Sequence, residues 1–397
     1  MWAGRHVVVG VSGGIAAYKS CHLVRRLSES GARVDVVLTA AAAEFVRPLT
    51  FEALSGRPVL TSLWEPDRAL AHVHLAREAD LVIVAPATAH LLARVAHGLA
   101  DDLLTALLLA RTGLVLFAPA MNDAMYAAPP TRQNLALLRE RGFAFVGPEI
   151  GALAEGESDR PGRMSEPDTI LHHARRLIRR PGPLRERHVL VTAGPTREPL
   201  DPVRLVTNRS SGKMGFRLAQ AAWYRGALVR LITGPSAEPE PVGVTLTRIE
   251  TTKELEESVR EALPVADVLI MAAAPADFRP ADASATKRPR EGGRLTIELC
   301  PTVDILTGTA ELRKPDSVTV GFALETGDAE AKARAKLARK GLDLIVVNDA
   351  LEAGAGFEVD TNRVTVLDRD GGRWELPLAS KAEVAEWILD RVEARLG

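Results

Sequence analysis

The sequence predicts an α/β protein made of two doubly wound, three-layer domains, each built on a mainly parallel sheet. Three observations carry this. Short Val, Ile and Leu runs alternate with longer amphipathic stretches along the chain. The runs are apolar at nearly every position, the pattern of strands covered by helices on both faces. At 397 residues the chain also exceeds one ordinary hydrophobic core.

In order, strands are expected at residues 6–11, 33–38, 81–84, 114–118 and 143–146. The pattern stops at 179–187, Arg-Arg-Pro-Gly-Pro-Leu-Arg-Glu-Arg, a basic stretch that Pro and Gly keep from continuing a helix. This sets the domains at 1–180 and 187–397. A second series follows at 188–193, 228–232, 268–272, 319–322 and 344–347, with loops at 235–242 and, strongly basic, at 281–293.

Composition excludes several classes. The chain is 46% apolar and 25% charged, and no apolar run reaches the roughly 20 residues of a membrane span. The N-terminus enters a strand at once, without a signal-type apolar core, so a cytoplasmic location is expected. Cys21 and Cys300 are too few for a disulfide framework or a thiolate zinc site. A net charge of -1 advertises no nucleic-acid partner. All nine His lie at or before His188, and of nine Lys only Lys19 precedes Lys213; the halves carry different chemistry.

The first strand runs into Ser12-Gly13-Gly14-Ile15-Ala16-Ala17-Tyr18-Lys19. Small residues there let backbone N–H groups and the Ser12 hydroxyl reach a phosphate at a helix start. The turn matches neither G-x-G-x-x-G nor a P-loop, and close packing alone accounts for it equally well. A second turn, Ala85-Pro86-Ala87-Thr88-Ala89, belongs at the same carboxyl edge, where open α/β sheets bind ligands, or else merely caps its strand. A third, Pro119-Ala120-Met121-Asn122-Asp123-Ala124-Met125, offers an amide for a carboxylate and soft sulfurs for an aromatic ring, or methionine as core filler.

Together these three motifs resemble the homo-oligomeric flavin-containing cysteine decarboxylases, in particular those acting on phosphopantothenoylcysteine. The resemblance implies FMN as cofactor, contacted by Ser12, Gly13, Gly14, Ile15, Thr39, Pro86, Ala87, Thr88 and Met121. It makes His72, in Ala71-His72-Val73-His74-Leu75-Ala76, a catalytic residue together with Asn122, and Arg163 and Met164 substrate contacts in a flap. In the implied reaction the substrate thiol is oxidised to a thioaldehyde, carbon dioxide leaves, and the electrons return. One departure stands out: the family carries a proton-donating Cys before Pro161-Gly162-Arg163-Met164, where this chain reads Ala154-Glu155-Gly156-Glu157-Ser158-Asp159-Arg160. Glu155 or Glu157, held protonated in a dry pocket, is the candidate replacement.

The second half opens with Val191-Thr192-Ala193-Gly194-Pro195-Thr196-Arg197 and continues to Thr207-Asn208-Arg209-Ser210-Ser211-Gly212-Lys213-Met214-Gly215. Hydroxyls, glycines and a cation at an expected helix start suit a phosphate; a plain capped helix is the other reading. Arg supplies most of the surface charge, so Lys213, Lys287, Lys336 and Lys340 stand out, the last two one helical turn apart and able to face one polyphosphate.

These strings resemble phosphopantothenate-cysteine ligases, which bacteria usually fuse behind the decarboxylase; the resemblance runs from about Arg5 to Ile388. It implies that CTP and phosphopantothenate meet Gly194, Ser211, Gly212, Lys213, Ala273, Asp277, Lys287, Val303, Asp304, Ile305, Phe322, Lys336 and Lys340, and that Asn208 holds an acyl intermediate. The substrate carboxylate attacks the α-phosphate of CTP, Mg2+ and Lys offset the charge, and the cysteine amine then displaces CMP. Lys287, in the basic loop, is a lid cation. With no His beyond His188, any amine deprotonation falls to carboxylates, phosphate or water. Here too the chain departs, with Cys300-Pro301-Thr302-Val303-Asp304-Ile305 where the family has a Lys before its Pro-Asp-Ile. The resemblance further implies flavin-domain trimers with shared sites and ligase-domain dimers, combining into a homododecamer. Two other readings are an active ligase with a flavin domain reduced to a scaffold, and a dinucleotide oxidoreductase on Rossmann-like domains, whose glycine fingerprint is missing from both turns.

Overall fold

The computed structural model describes residues 2–64, 69–289, 295–325, 328–349 and 359–397, so the end of the basic loop at 281–293 lies outside the described residues. Two compact units emerge, Met1–Arg179 and Arg180–Gly397.

The first unit holds a five-stranded, all-parallel sheet in the order Arg33–Leu38, His6–Val11, Leu81–Ala87, Leu114–Pro119, Ala144–Phe145. Its strands are apolar throughout because successive side chains enter two different cores. Val7, Val9 and Val11 join Leu23 and Leu27 of the helix Ala17–Glu29 and Ile170 of Pro167–Ile178. Val8, Val82 and Val84 join Leu91 of Ala89–Ala96 and Leu104 of Leu103–Ala110 on the other face. The third strand does not stop at Val84. It shifts register and continues to Ala87, which pairs with Pro119; buried Ala85 and Ala87 are small enough to keep following the sheet. A short hairpin, Glu149–Ile150 with Pro161–Arg163, frames the flap.

The second unit has eight strands in the order Thr245–Arg248, Leu228–Thr233, His188–Ala193, Val268–Met271, Val318–Glu325, Leu344–Asp349, Thr361–Asp368, Arg373–Ser380; the first six run parallel and the last two close the sheet antiparallel. The first and last two strands escape the apolar-run criterion because they alternate polar with apolar residues. Helices Lys213–Tyr224 and Lys381–Leu396 cover one face, and Thr252–Ala262 with Ala329–Arg339 the other. The Arg225 guanidinium, 1% exposed, ties the first pair by meeting Glu386 at 2.8 Å, Asp390 at 2.7 Å and Glu393 at 2.5 Å. Two ribbons, Arg197–Pro199 with Leu205–Thr207 and Phe278–Pro280 with Leu299–Pro301, lie outside the sheet. Among the described residues no helix is long and apolar enough to cross a membrane.

Candidate functional site

The loops after the parallel strands of the first unit enclose a cleft of about 1520 Å³. Ser12, Gly13, Gly14, Ile15, Thr39 and Thr88 line one side, and Met121, Asn122, Glu155, Arg163 and Met164 the other. Pro86, Ala87 and His72 are not among the lining residues.

The glycine turn has two distinct jobs. A Cβ on Gly13 would stand 2.4 Å from Ala41 Cβ, so this glycine is demanded by packing; one on Gly14 would meet only Thr88 Cγ2, at 3.5 Å. The N–H groups of Gly13, Gly14, Ile15 and Ala16 have no protein partner among the described residues, the condition of a helix start that receives an anion. The Ser12 hydroxyl is not left for a phosphate as the sequence suggests. It donates to Pro86 O (2.8 Å) and accepts from Thr88 N (3.1 Å), fastening the first turn to the second. Thr39 and Thr88 cap the helices Ala40–Ala43 and Ala89–Ala96. A cleft of this size, with donors at one end and Met121 in its wall, fits a flavin nucleotide.

Asn122 caps the helix Asp123–Ala127 through Oδ1, which accepts from Ala124 N (2.8 Å), while Nδ2 donates to Glu155 Oε1. The flap is fastened to the same turn: Met121 N donates to Gly162 O (3.0 Å) and Ser158 Oγ to Asp123 Oδ2 (2.6 Å). Glu155 is exposed in the single chain, not in the dry pocket expected for a replacement acid. Lys19, missed as a site residue although its rarity marked it, is buried and donates to Met164 O (3.2 Å) and Glu166 Oε1 (2.8 Å). That hydrogen bond and the Lys19 and Arg163 charges hold the Glu166 carboxyl below the usual range. His72 sits in the helix Ala71–Glu78, its Nδ1 buried without a partner among the described residues.

In the second unit Gly194, Ser211, Gly212, Lys213, Ala273 and Asp277 lie in the turns that follow the parallel strands, at the carboxyl edge. Gly194 and Gly212 both take positive φ, +74° and +81°, and a Cβ on Gly212 would stand 3.2 Å from Gly194 N. The two turns therefore touch through backbone, a closeness that side chains would prevent. Asn208 Nδ2 donates to Ala274 O (3.2 Å) and Pro275 O (2.9 Å), so its amide nitrogen is committed to joining the loops. Ala273 N donates to Thr192 Oγ1 (3.1 Å), and exposed Asp277 accepts Thr302 N on its carbonyl (2.9 Å), drawing in Val303, Asp304 and Ile305. Lys336 and Lys340 have different protein partners: Lys336 Nζ donates to Phe322 O (2.9 Å), and Lys340 meets Asp304 (3.0 Å). Burial opposes ionisation of Asp304, yet the Lys340 hydrogen bond and charge hold its carboxyl below the ordinary value. Ser211 and Lys213 lead the helix Lys213–Tyr224, with Lys213 Nζ on Asp360 at 2.7 Å.

Lys287 is exposed, but its neighbour is anchored: Arg288 N donates to Asp201 Oδ2 (3.2 Å). Asp201 also accepts from Val203 N and Arg204 N, both 2.9 Å, and from the Arg204 guanidinium at 2.5 Å. The Arg204 side-chain hydrogen bond, then these backbone donors, lower its pKa strongly. This anchor was missed; its trace in the sequence is the Asp-Pro-Val-Arg spacing, an Asx-type turn.

The sequence model described as Flavoprotein matches residues 1–179, and the one described as DNA/pantothenate metabolism flavoprotein C-terminal domain matches 184–396. The coenzyme A biosynthesis bifunctional protein CoaBC of Vibrio cholerae is 45% identical over 99% of this chain and 99% of its own length. This chain belongs to that bifunctional family. The CoaBC protein of Mycobacterium tuberculosis is 48% identical over 98% of this chain and 96% of its own. A crystal structure of the C-terminal domain of a CoaBC protein is 40% identical, covering 54% of this chain and 98% of that one, with a TM-score of 0.47. End-to-end similarity to proteins named bifunctional does not favour the scaffold reading of the flavin unit.

Proposed function

We propose that the chain makes phosphopantetheine in two steps: CTP-dependent ligation of phosphopantothenate to cysteine in the second unit, then decarboxylation of phosphopantothenoylcysteine in the first. The observation that carries this is a flavin-type cleft and a lysine-bearing nucleotide-type edge within one chain matched along its length by bifunctional relatives.

The Gly13–Ala16 N–H groups and Met121 would hold FMN, which when bound would supply oxidation of the substrate thiol and return of the electrons. Asn122 Nδ2 orients the substrate carboxylate, and the flap carboxyl of Glu155, in contact with Asn122 and exposed in the single chain, delivers a proton at the end once the occupied, assembled site buries it. His72 acts in a neighbouring subunit's cleft. Its position outside the cleft of its own chain and its unpartnered Nδ1 support a shared site, and with it the trimers of a dodecamer.

In the ligase unit Lys336, Lys340 and Lys287 neutralise the triphosphate while the carboxylate attacks. Mg2+ would be carried largely by the CTP phosphates, where it keeps most of its waters, and would offset their charge. The protein works in the cytoplasm.

The test supplies the full chain with phosphopantothenate, cysteine, CTP and Mg2+, following phosphopantetheine by mass spectrometry beside the oxidised-flavin absorbance. Repeated turnover supports both activities. One carbon dioxide per site followed by a stall with reduced flavin removes Glu155 as a working donor, and absence of phosphopantothenoylcysteine removes the ligase.

A further inference from the structure

We propose that Glu198 is a positioning residue for the nucleotide: through the hydroxyls of Thr252 and Thr196 it sets the loop that carries Ala273 and Asp277. The proposal rests on the ligase reading above and adds a residue that this reading does not use.

The loop after the strand Val268–Met271 is laid along the segment from Thr192 to Thr196. Three of its N–H groups donate there: Ala273 N to Thr192 Oγ1 (3.1 Å), Ala274 N to Gly194 O (2.9 Å) and Ala276 N to Thr196 Oγ1 (2.8 Å). The Gly194 carbonyl is fixed with the backbone, and the Thr192 hydroxyl turns its proton to Met271 Sδ (3.5 Å). Thr196 Oγ1 can both donate and accept, so its rotation decides whether the N–H next to Asp277 is held.

A buried carboxylate settles that rotation. Glu198, in the ribbon strand Arg197–Pro199, is 4% exposed. Its Oε1 accepts from Thr252 N (2.8 Å) and from Thr252 Oγ1 (2.7 Å). A carboxylate only accepts, so the single hydroxyl proton of Thr252 is committed to Glu198. Thr252 Oγ1 also lies 2.9 Å from Thr196 Oγ1. With no proton left, it is the acceptor there. Thr196 therefore donates to Thr252 and keeps a lone pair for Ala276 N. The chain of bonds runs one way, from the loop through two hydroxyls to the carboxylate.

Both threonines are buried, which leaves little water to take over a lost link. Glu198 also sits at the start of the helix Thr252–Ala262, where N–H groups lack intrahelical partners and negative charge is favoured. Capping that helix accounts for the bond from Thr252 N, but not for the continuation through Thr196 to Ala276. Beyond Ala276 the hold extends further: Thr302 Oγ1 donates to Ala276 O (2.6 Å) and Thr302 N to Asp277 O (2.9 Å). Val303 and Asp304 follow directly, so the implied CTP contacts on both segments depend on where Ala276 is set.

Titration calorimetry of the full chain with CTP and Mg2+ reads affinity and stoichiometry separately. Thr196→Val keeps the side-chain shape but leaves Ala276 N–H buried without an acceptor, and should weaken CTP about tenfold at unchanged stoichiometry. Thr196→Ser, which keeps the hydroxyl, should stay within about threefold of wild type. Thr252→Val preserves the helix cap through Thr252 N and breaks only the hydroxyl link, so its CTP affinity should fall between wild type and Thr196→Val. Glu198→Leu should weaken CTP as Thr196→Val does, and Glu198→Gln, which keeps an acceptor oxygen, should recover most of that loss. In the ligation assay the loss should appear in the KM for CTP, with kcat at saturating CTP little changed. A role confined to the fold would lower the melting temperature or the stoichiometry and leave CTP affinity alone. Unchanged CTP affinity in Thr196→Val or in Thr252→Val therefore overturns the proposal, as does a loss in Thr196→Ser equal to that in Thr196→Val. Wild type that binds CTP yet forms no phosphopantothenoylcysteine overturns the ligase reading, and the CTP affinities of the variants still decide the role of Glu198.

Discussion

Gly13→Ala and Gly14→Ala differ by one position and should differ sharply in flavin affinity. The new Cβ at position 13 would stand 2.4 Å from Ala41 Cβ and 2.8 Å from its carbonyl carbon, so the two segments must part by about 1 Å to reach van der Waals distance. Ala41 belongs to the helix Ala40–Ala43, capped by Thr39 on the cleft wall, and relief therefore moves two walls of the flavin site. Overpacking of this kind costs about 1–3 kcal/mol; spent at the ligand's expense, it weakens flavin by a factor of about 5 to 150. At position 14 the nearest atom is Thr88 Cγ2 at 3.5 Å, ordinary contact, and affinity should stay within about threefold. The assay removes flavin, titrates FMN back by absorbance and fluorescence, and uses ligation in the second unit as the control for an intact chain. Equal affinities for the two variants, or a larger loss at Gly14, would refute the packing argument.

His72→Asn should abolish phosphopantetheine formation while the flavin content of the purified protein stays unchanged, as expected of a residue that acts on the substrate and does not hold the flavin; loss of flavin would count against that role. Asp201→Asn should free the backbone at Arg288 and raise the KM of the ligase for CTP while leaving decarboxylation untouched, measured by separate assays of the two half-activities. The same carboxylate, lowered in the fold, supports the second unit above its unfolded pKa and ceases to as pH falls through its folded value. His173 gives the opposite charge but the same slope. Burial, then the Arg176 and His172 charges, lowers its pKa from 6.5 to about 4, so between those values the unfolded chain binds a proton that the folded chain refuses. Stability should fall by about 3 kcal/mol as pH drops through that window, and thermal denaturation of His173→Gln should show a flatter profile between pH 7 and 4.

Much of this protein is legible before folding is considered. Continuous apolar strands report helices on both faces, and a Pro/Gly-broken basic stretch reports the end of a pattern, because burial and backbone restriction act on each segment alone. The three turns of the cleft could be found because each directly follows a strand. The alternating strands at 361–368 and 373–380 could not be found the same way, since one face of each is polar and the signal per residue is weak.

Roles within the sites depended on partners distant in sequence. The sequence offers Ser12 as a phosphate ligand, and only the arrival of Pro86 and Thr88 makes its hydroxyl a fastener. It offers Lys336 and Lys340 one helical turn apart, and only the tertiary structure gives them Phe322 and Asp304 as partners. Hydrophobic pattern and turn chemistry are local and additive, so the sequence by itself determined the layers and the edge where ligands bind. Hydrogen bonds and charges act over a few ångströms between segments far apart in the chain, so the tertiary structure alone decided which of these side chains hold one another.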